Sequence, residues 1–263
     1  MGFIKRYLKL EILFLKMNIV AVSKYGISYF LSILYELMNG LMNIVYFYVM
    51  FGTVHDIAGW ERKDIFLLVI LAYFIDAVCV MLFIGTSSIP DYISTGTLDI
   101  LLTKPLNHQF LLSFRRPNSV QIINVAIAAV CMGVEVYRKN GGLVSVLFFI
   151  FSVLFSIILM YLTMSSIIFL SFWVVRVGSV WEVVEKLNSA SSKPGDIYPK
   201  AFRIAMTFFL PSLVIVNYPV EILRMQKFGL LMTHTIPITI GMLIVNQFVF
   251  RTGLKHYEGA GGL

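Results

Sequence analysis

The chain has 263 residues, of which 59% are hydrophobic and 13% are charged, and its mean hydropathy is +0.85. Soluble domains carry about 25% charged residues, and a soluble core of this length could not bury so much apolar surface. We therefore interpret the chain as an integral membrane protein, dissolved in the lipid bilayer. The net charge of +7 is then a signal of membrane orientation. The basic residues flank apolar segments without interleaved aromatic residues, which argues against a nucleic-acid partner.

The first 24 residues predict an amphipathic helix that lies in the membrane interface. On a helical wheel Lys5, Lys9 and Lys16 share one stripe, and apolar side chains occupy the opposite one. The longest uncharged apolar stretch before residue 17 is ILFL, which is too short for the core of a signal peptide. We expect the lysines to face anionic headgroups or a protein partner. An ordinary basic flank to the first span is the alternative.

Six apolar segments are long enough to cross a bilayer, which takes about 20 residues of helix. The fourth is longer than one span, but two spans with a turn would need about 40 residues. The sequence therefore predicts an all-α polytopic membrane protein with six transmembrane helices in a single domain over residues 1–263. The expected spans are 27–51, 65–87, 118–137, 143–175, 201–223 and 229–250.

The distribution of lysine and arginine predicts the orientation of these spans. With the amino terminus inside, the inner segments hold fifteen basic residues and the outer loops hold six. This count places Lys193, Lys200 and Arg203 inside, and Arg62 and Lys63 outside. Because basic residues accumulate on the cytoplasmic side, we expect a multi-pass protein of the cell membrane with both termini in the cytoplasm.

Polar residues within the expected first two spans form a candidate translocation path. Ser32, Glu36, Asn39 and Asn43 recur on one helical face of the first span, and Asp76 lies near the middle of the second. Polar groups inside a bilayer cost free energy and therefore face protein or water. Glu36, Asn39, Asn43 and Asp76 are our candidates for the path. Interhelical hydrogen bonds, at about 0.6–2 kcal/mol each, are the alternative.

Two other polar patterns have a more local interpretation. Asn118, Gln121 and Asn124 recur every three residues at the start of the third span, and we interpret them as interhelical hydrogen-bonding groups. Pro211 and Pro219 interrupt the apolar run 208–223. Proline removes a backbone donor and bends a helix. We therefore expect the outer end of the fifth span to be broken or re-entrant.

The chain carries none of the sequence patterns that indicate chemistry. It lacks a GxxxxGK[ST] phosphate loop, an HExxH metal motif and a G-x-S-x-G nucleophile turn, and its four histidines lie far apart. We therefore expect no catalytic residue, no metal site and no cofactor on this chain.

Between the second and third expected spans, residues 89–110 form an amphipathic segment. Thr97 stands where it could cap a short helix, and Leu98, Leu101 and Leu102 would form an apolar ridge that Pro105 ends. Asp99 and Lys104 frame this ridge. An apolar ridge with a charged frame is typical of a protein-binding surface. A plain connecting loop is the alternative.

The order of these features resembles that of an ABC-2-type transporter permease. The likeness is greatest to the bacterial six-span branch in which G-x-L-D-x-x-L-x-K-P follows the second span. It covers nearly the whole chain, and its specificity lies mostly in residues 89–107 and 193–219. The segments that carry it are IPDYISTGTLDILLTKPLN, KPGDIYP (193–199), FFLPSLVIVNYP and GLKHYEGAG (253–261).

The resemblance implies a non-catalytic permease subunit of an exporter. A separate cytoplasmic ABC ATPase subunit would bind ATP and magnesium, and two permease subunits would form a homo- or heterodimer in the lipid bilayer. The segment between the second and third spans would be a cytoplasmic coupling helix that docks on the ATPase, flanked by the amino-terminal helix and by residues 182–200. The break around Pro211, Asn217 and Pro219 would belong to an outer gate. The coupling residues implied are Gly96, Thr97, Leu98, Asp99, Leu102, Lys104 and Pro105.

Two other function classes stay open on the residues alone. An ion-coupled secondary transporter would use Glu36 and Asp76 and would need no ATPase partner. An intramembrane biosynthetic enzyme would need a reactive cluster, for which the sequence offers no candidate.

Overall fold

The computed structural model describes residues 2–50, 56–139, 142–173 and 190–257. Within these ranges the regular structure is helical, apart from one antiparallel pair of two-residue strands, β1 (Asp56–Ile57) and β2 (Trp60–Glu61). Ala58 and Gly59 form the turn between the strands, and both have positive φ. The expected all-α membrane fold is therefore confirmed.

The first two helices meet at a sharp angle. Helix α1 (Gly2–Ser23) and helix α2 (Ile27–Met50) are inclined at 112° across a turn in which Gly26 has a φ of +48°. If α2 crosses the bilayer, α1 runs close to the membrane plane. This is the geometry expected for an interfacial helix.

Four of the described helical segments are long and apolar enough to cross a membrane. The first is α3 (Arg62–Phe83), which continues through a 3₁₀ turn (Ile84–Ser88) into α4 (Ile89–Ser94). The others are α7 (Gln121–Arg138), α8 (Leu143–Phe169) with the 3₁₀ turn Leu170–Phe172, and α11 (Ile236–His256) after the π-turn Leu231–Thr235. The short helices α5 (Leu98–Leu102) and α6 (His108–Phe114) lie between α4 and α7.

The expected fifth span, 201–223, is two helices. Helix α9 (Lys200–Phe208) and helix α10 (Ser212–Met225) meet at 96°. Pro211 stands directly before α10, where its missing backbone N–H costs no helical hydrogen bond, and Pro219 lies inside α10. The break at Pro211 therefore lies within the run 208–223, in which the two prolines predicted an interruption.

The core forms where α3, α8 and α10 pack together. Helix α3 packs on α7 and α8, and α8 packs on α10 and α11. Buried side chains at three- and four-residue spacing on each helix give it one face toward the core. The largest fully buried side chains include Trp60, Ile65, Leu68, Leu71, Ile75, Leu159, Phe169 and Leu213.

Residues 195–203 lie beside the β1–β2 turn. Trp60 Nε1 donates a hydrogen bond to Asp196 Oδ2 at 3.0 Å, and Asp196 Oδ1 pairs with Arg203 Nη1 at 2.6 Å. The sequence-based placement of Lys193, Lys200 and Arg203 on the other membrane side from Arg62 is therefore wrong. The error arises because Trp60 and Asp196 are 136 positions apart in the chain, so local hydropathy could not reveal their contact.

The bundle thus has two distinct ends. We call one the hairpin end, because it contains the β1–β2 turn, residues 195–203 and the junction after α10. We call the other the α1 end, because it contains α1, α5 and α6. Trp173 lies at the α1 end beside His256, with ring centroids 6.2 Å apart, whereas Ser191 accepts a hydrogen bond from Asn217 at the hairpin end.

Candidate coupling element and transport path

Helices α4, α5 and α6 form a compact element at the α1 end, which we call the coupling element. Gly96 makes the turn between α4 and α5 with a φ of +68°, a conformation that glycine adopts without a Cβ penalty. Thr97 stands at the cap position of α5, but its side chain makes no capping hydrogen bond. Its hydroxyl pairs instead with the Thr95 hydroxyl at 2.9 Å.

The leucine ridge of α5 points into the protein. Leu98 is fully buried, Leu101 is 3% exposed and Leu102 is half-buried. The expectation that Leu98 offers an exposed contact to a partner is therefore wrong. A short amphipathic helix uses its apolar face to attach itself to its own bundle, and the leucines meet that need.

The outer side of the coupling element carries a mixed surface. Thr97, Asp99, Thr103 and Pro105 are exposed, and Ile100 is 65% exposed. We call these five residues the coupling surface. Gly96 and Lys104 are half-buried at its edge. An isoleucine with this exposure, surrounded by polar groups, is a small surface of the kind that partners bind.

Helix α1 is attached to the coupling element through its own inner face. Tyr7 Oη accepts a hydrogen bond from the Asn107 backbone N–H at 3.2 Å, and the Tyr7 ring meets the Phe110 ring edge-on at 4.6 Å. Further along, Asn18 Oδ1 accepts a hydrogen bond from the Ser119 backbone N–H at 3.0 Å. The opposite stripe, with Lys5, Lys9 and Lys16, is exposed.

Glu11 lies on the inner face of α1, between Tyr7 and Asn18 in helical register. Both of its carboxylate oxygens are buried, and neither has a hydrogen-bond partner. Burial raises the pKa of the Glu11 carboxyl to about 7, because the charged form loses its hydration there. At neutral pH this side chain is therefore close to its titration midpoint.

A buried polar network ties the coupling element to the helices that cross the membrane. Gln109 of α6 donates to Asn246 Oδ1 of α11 at 2.6 Å and to the Tyr161 hydroxyl of α8 at 3.2 Å. Gln247 donates in turn to Gln109 Oε1 at 2.7 Å. Ser113 of α6 pairs with the same Tyr161 hydroxyl at 2.9 Å. One side chain of the coupling element thus bonds directly to both α8 and α11.

Asn246 completes this network on the other side. Its amide Nδ2 donates to Ser165 Oγ at 2.7 Å and to Ser166 Oγ at 3.0 Å, both on α8. Asn246 itself is fully buried. Hydrogen bonds in a low-dielectric interior hold their partners in fixed geometry, because any departure leaves polar groups unpaired. Displacement of α6 would therefore move α8 and α11 with it.

The carboxyl end of α11 also reaches the coupling element. Tyr257, directly after α11, packs edge-on against Phe172 with ring centroids 6.4 Å apart. Burial and the neighbouring Asp99 carboxylate raise the pKa of the Tyr257 hydroxyl. A residue of the coupling surface therefore lies beside the end of a transmembrane helix.

Of the candidate translocation residues, Glu36 and Asp76 lie where α2 and α3 meet. Gly40 of α2 packs so closely on Tyr73 of α3 that an added Cβ would stand 2.5 Å from the Tyr73 hydroxyl. Glu36 and Asp76 both lie within electrostatic range of Tyr73 and are half-buried. Asn39 is exposed on the outer side of α2. The side chain of Asn43 lies outside the described residues.

At the start of α7 the structure brings together the polar residues interpreted as interhelical groups. Asn124 Nδ2 donates to Gln121 Oε1 at 2.8 Å, and both residues are buried. The Asn118 backbone N–H donates to the Met81 carbonyl at 2.9 Å. The Asn124–Gln121 bond lies within α7, and the contact with Met81 is made by the backbone of Asn118, so these bonds do not test the interhelical interpretation of the side chains.

At the hairpin end a buried ion cluster fixes three helices. Asp64, 4% exposed at the start of α3, pairs with Lys139 after α7 and with Arg224 of α10, whose Nε lies 3.4 Å from Asp64 Oδ2. The Arg224 guanidinium also stacks 4.6 Å from the Trp60 ring centre and donates to the Gly59 carbonyl at 2.7 Å.

The residues expected at an outer gate all lie in or next to α10. Pro211, Asn217 and Pro219 are buried. Asn217 Oδ1 accepts a hydrogen bond from the Gly195 backbone N–H at 2.8 Å. Of the segment 182–200, residues 190–200 are described and lie at the hairpin end, away from the coupling element that they were expected to flank. Residues 182–189 lie outside the described ranges.

The buried network and the ion cluster are the main features that the sequence analysis missed. Gln109, Asn246 and Asp64 each stand next to or within an apolar run, and that position was the available signal. It identifies a costly polar group but not its partner. Asn246 and Gln109 are 137 positions apart, and no local pattern pairs them.

Comparison with known families agrees with this architecture. The family model described as ABC-2 family transporter protein matches residues 37–261, which include every helix from the middle of α2 onward. The chain belongs to the ABC-2 transporter family. No curated protein and no solved structure matches it. The ABC-2 membership fits a helical permease whose longest helices can cross a membrane, and the match extends over both the coupling element and the α9–α10 pair.

Proposed function

We propose that this ABC-2 permease is the transmembrane subunit of an ATP-driven exporter in the cell membrane. A separate cytoplasmic ABC ATPase binds the coupling surface and supplies ATP hydrolysis, so this chain itself carries no catalytic group. A second permease subunit completes the assembly. ATP and magnesium bind to the ATPase subunit, and the substrate moves outward past α2 and α3.

The bond between Gln109 and Asn246 carries this proposal. A transporter without its own nucleotide chemistry needs a rigid connection from a partner-binding surface to its transmembrane helices. Gln109 provides that connection, since α6 is part of the coupling element and Asn246 lies inside α11. Asp99 of the coupling surface also lies within electrostatic range of the Tyr257 hydroxyl, directly after α11. An element held only by apolar packing could slide, whereas the directional hydrogen bonds of Gln109 resist sliding.

The coupling surface supports one partner contact in particular. Ile100 is the large apolar side chain of α5 that remains exposed, while Thr97, Asp99 and Thr103 surround it with hydrogen-bonding groups. This matches the anatomy of a small interface, with an apolar centre and a polar rim. The exposed lysines of α1 lie at the same end and add positive charge for acidic groups on the partner.

Co-purification tests the proposal. The tagged chain is isolated from its native membrane in mild detergent, and the associated ATPase activity is measured. Ile100→Asp should weaken ATPase association by about tenfold or more, because it puts a charge at the apolar centre of the interface. Ile197→Asp is the matched control, since Ile197 is also an exposed isoleucine, 43% exposed, but lies at the hairpin end. Equal losses in both variants would contradict the assignment.

The ion-coupled alternative has one observation in its favour, the approach of Glu36 and Asp76 to Tyr73. An ion-coupled transporter would take its energy from a proton gradient and would not need ATP. Transport by the purified chain alone in proteoliposomes, driven by a proton gradient and unaffected by vanadate, would establish it. Transport that requires the ATPase subunit and stops with vanadate would exclude it.

A further inference from the structure

A cavity of about 360 Å³ lies between α9 and α10 at the hairpin end. We call it the α9–α10 pocket. Its apolar wall is formed by Leu213, Met225 and Leu230. Its size is within the usual range for small-ligand sites, about 300–1,000 Å³. The polar and charged side chains that line it include Asp196, Arg203, Asn217, Tyr218, Glu221 and Lys227.

The polar back of this pocket is already held in place. Asn217 bridges the Gly195 N–H and the Ser191 carbonyl, at 2.8 and 3.0 Å. Asp196 uses one oxygen for Arg203 and the other for Trp60. Because bonds within the chain itself hold these groups, ordering them would cost little free energy when a ligand binds.

Two charges of opposite sign remain for a ligand. Glu221 is half-buried in the pocket wall and Lys227 is exposed on its rim. They lie in electrostatic range of each other, but neither belongs to an ion pair within 4 Å among the described residues. A half-buried carboxylate is stabilised by a donor of N–H hydrogen bonds. The ammonium of Lys227, together with the outer N–H groups of Arg203, would accept an anion.

The position of α9 indicates the level in the membrane at which the pocket lies. Phe202, Ile204 and Phe208 of α9, and Phe209 directly after it, are exposed, whereas Arg203 and Thr207 line the pocket. A helix with this division lies in the membrane interface, with its apolar side chains in the acyl region. In that position the α9–α10 pocket would open at the level of the lipid headgroups.

We propose that the α9–α10 pocket binds a small zwitterion that carries a primary ammonium and a phosphate on a short linker. The ammonium donates to Glu221, and the phosphate accepts from Lys227 and Arg203. The apolar wall accommodates the linker and whatever chain follows it. This chemistry has two sources, the ethanolamine phosphate headgroup of a bilayer lipid and a water-soluble molecule with the same group. The proposal does not depend on an ATPase partner.

Calorimetric titration of the full chain in detergent tests the soluble source, with ethanolamine phosphate as the probe. Binding should be saturable, and Glu221→Gln should weaken it about tenfold or more, since a charge-assisted hydrogen bond is lost. Choline phosphate should bind more weakly than ethanolamine phosphate, because its ammonium has no N–H. Lys200→Gln is the matched control, since Lys200 is an exposed base of α9 outside the pocket.

Native mass spectrometry from nanodiscs tests the lipid source. The chain is reconstituted with phosphatidylethanolamine or with phosphatidylcholine, and retained lipid is counted. Retention of one phosphatidylethanolamine, lost in Glu221→Gln and in Lys227→Gln but kept in Lys200→Gln, would support the bilayer as the source. Saturable binding of the soluble probe alone would support a water-soluble source.

Absence of binding in both arms would overturn the proposal, provided that the thermal unfolding midpoint of each variant stays at the wild-type value. Equal binding by wild type and Glu221→Gln would overturn it as well. Neither measurement involves ATPase association, so failure here is distinct from failure of the exporter proposal.

Discussion

Asn246 is an amide within the apolar stretch LIVNQFVF of α11, and the structure surrounds it with partners on every side. Its carbonyl accepts from Gln109, and its amide donates to Ser165 and Ser166. A polar group at this depth is tolerated because no hydrogen-bonding capacity is wasted. Asn246 is therefore one of the groups that hold the coupling element in place, together with Tyr161, which bonds to Gln109 and Ser113.

We predict that Asn246→Ala lowers the free energy of unfolding by about 1–2 kcal/mol, the cost of leaving buried partners unpaired in a membrane protein. The measurement is the thermal unfolding midpoint of the purified chain in detergent. Thr252→Ala is the control on the same helix, since Thr252 is exposed and bonds only to the Phe248 carbonyl. If both variants unfold at the same temperature, the network does not stabilise the bundle.

Glu11 makes the attachment of α1 depend on pH. Its carboxyl has an ordinary pKa of 4.5 when α1 is detached and about 7 when α1 is docked. Between these two values the docked state binds more protons, so docking is strongest at low pH. Docking weakens as the pH rises from about 4.5 to about 7 and changes no further above that range.

This gives a prediction for hydrogen exchange. Amide protons of residues 5–23, corrected for intrinsic rates, should exchange faster at pH 8 than at pH 5. Glu11→Gln should abolish the difference and keep α1 protected at pH 8, because the neutral amide loses less hydration on burial. Lys16→Gln changes an exposed residue of the same helix and should keep the pH dependence. A pH-independent wild type would contradict the role of Glu11.

At the level of secondary-structure elements, the Asp64 cluster holds α3, α7 and α10 together at the hairpin end. Two cations share one buried carboxylate, and Lys139 and Arg224 are 15% and 17% exposed in their side chains. Removing the carboxylate would leave both cations without their counter-ion in a poorly hydrated position. Such a change costs more than the pair itself contributes.

We predict that Asp64→Asn lowers the free energy of unfolding by about 3 kcal/mol and exposes the hairpin end to protease. Asp196→Asn is the control, because the Asp196–Arg203 pair is nearly half exposed and should contribute less than about 1 kcal/mol. The measurements are thermal unfolding and the rate of cleavage within residues 190–203. Equal effects of the two substitutions would show that burial of Asp64 does not matter.

The sequence predicted elements where one local pattern determines them. Helices α3, α7, α8 and α11 are continuous apolar runs, and the break before α10 follows from Pro211. The sequence-based prediction failed where a contact between residues far apart in the chain determines the structure. Leu98 has the spacing of a binding ridge, and only the packing of α5 on the bundle shows that the ridge faces inward. Likewise, the side chain of Trp60 assigns Asp196 to the hairpin end.

For the whole molecule, the corrected position of residues 193–203 changes the charge count on which the orientation depends. With Lys193, Lys200 and Arg203 moved to the hairpin end, the described residues include ten basic side chains at the α1 end and nine at the hairpin end. With the two sides so nearly balanced, the exposed lysines of α1 are the main reason to expect the α1 end in the cytoplasm, where they would face anionic inner-leaflet lipid or an ATPase.

Cysteine labelling tests this orientation directly. Cys79, which is buried, and Cys131, which is half-buried, are first replaced by alanine. Thr103→Cys at the α1 end and Ile197→Cys at the hairpin end are then expressed separately and exposed to a membrane-impermeant maleimide. In intact cells we expect labelling at position 197 alone, and after permeabilisation we expect it at both positions. Labelling of position 103 in intact cells would show that the orientation is the reverse of the one predicted. The coupling surface would then lie outside the cell, where no ATPase could reach it.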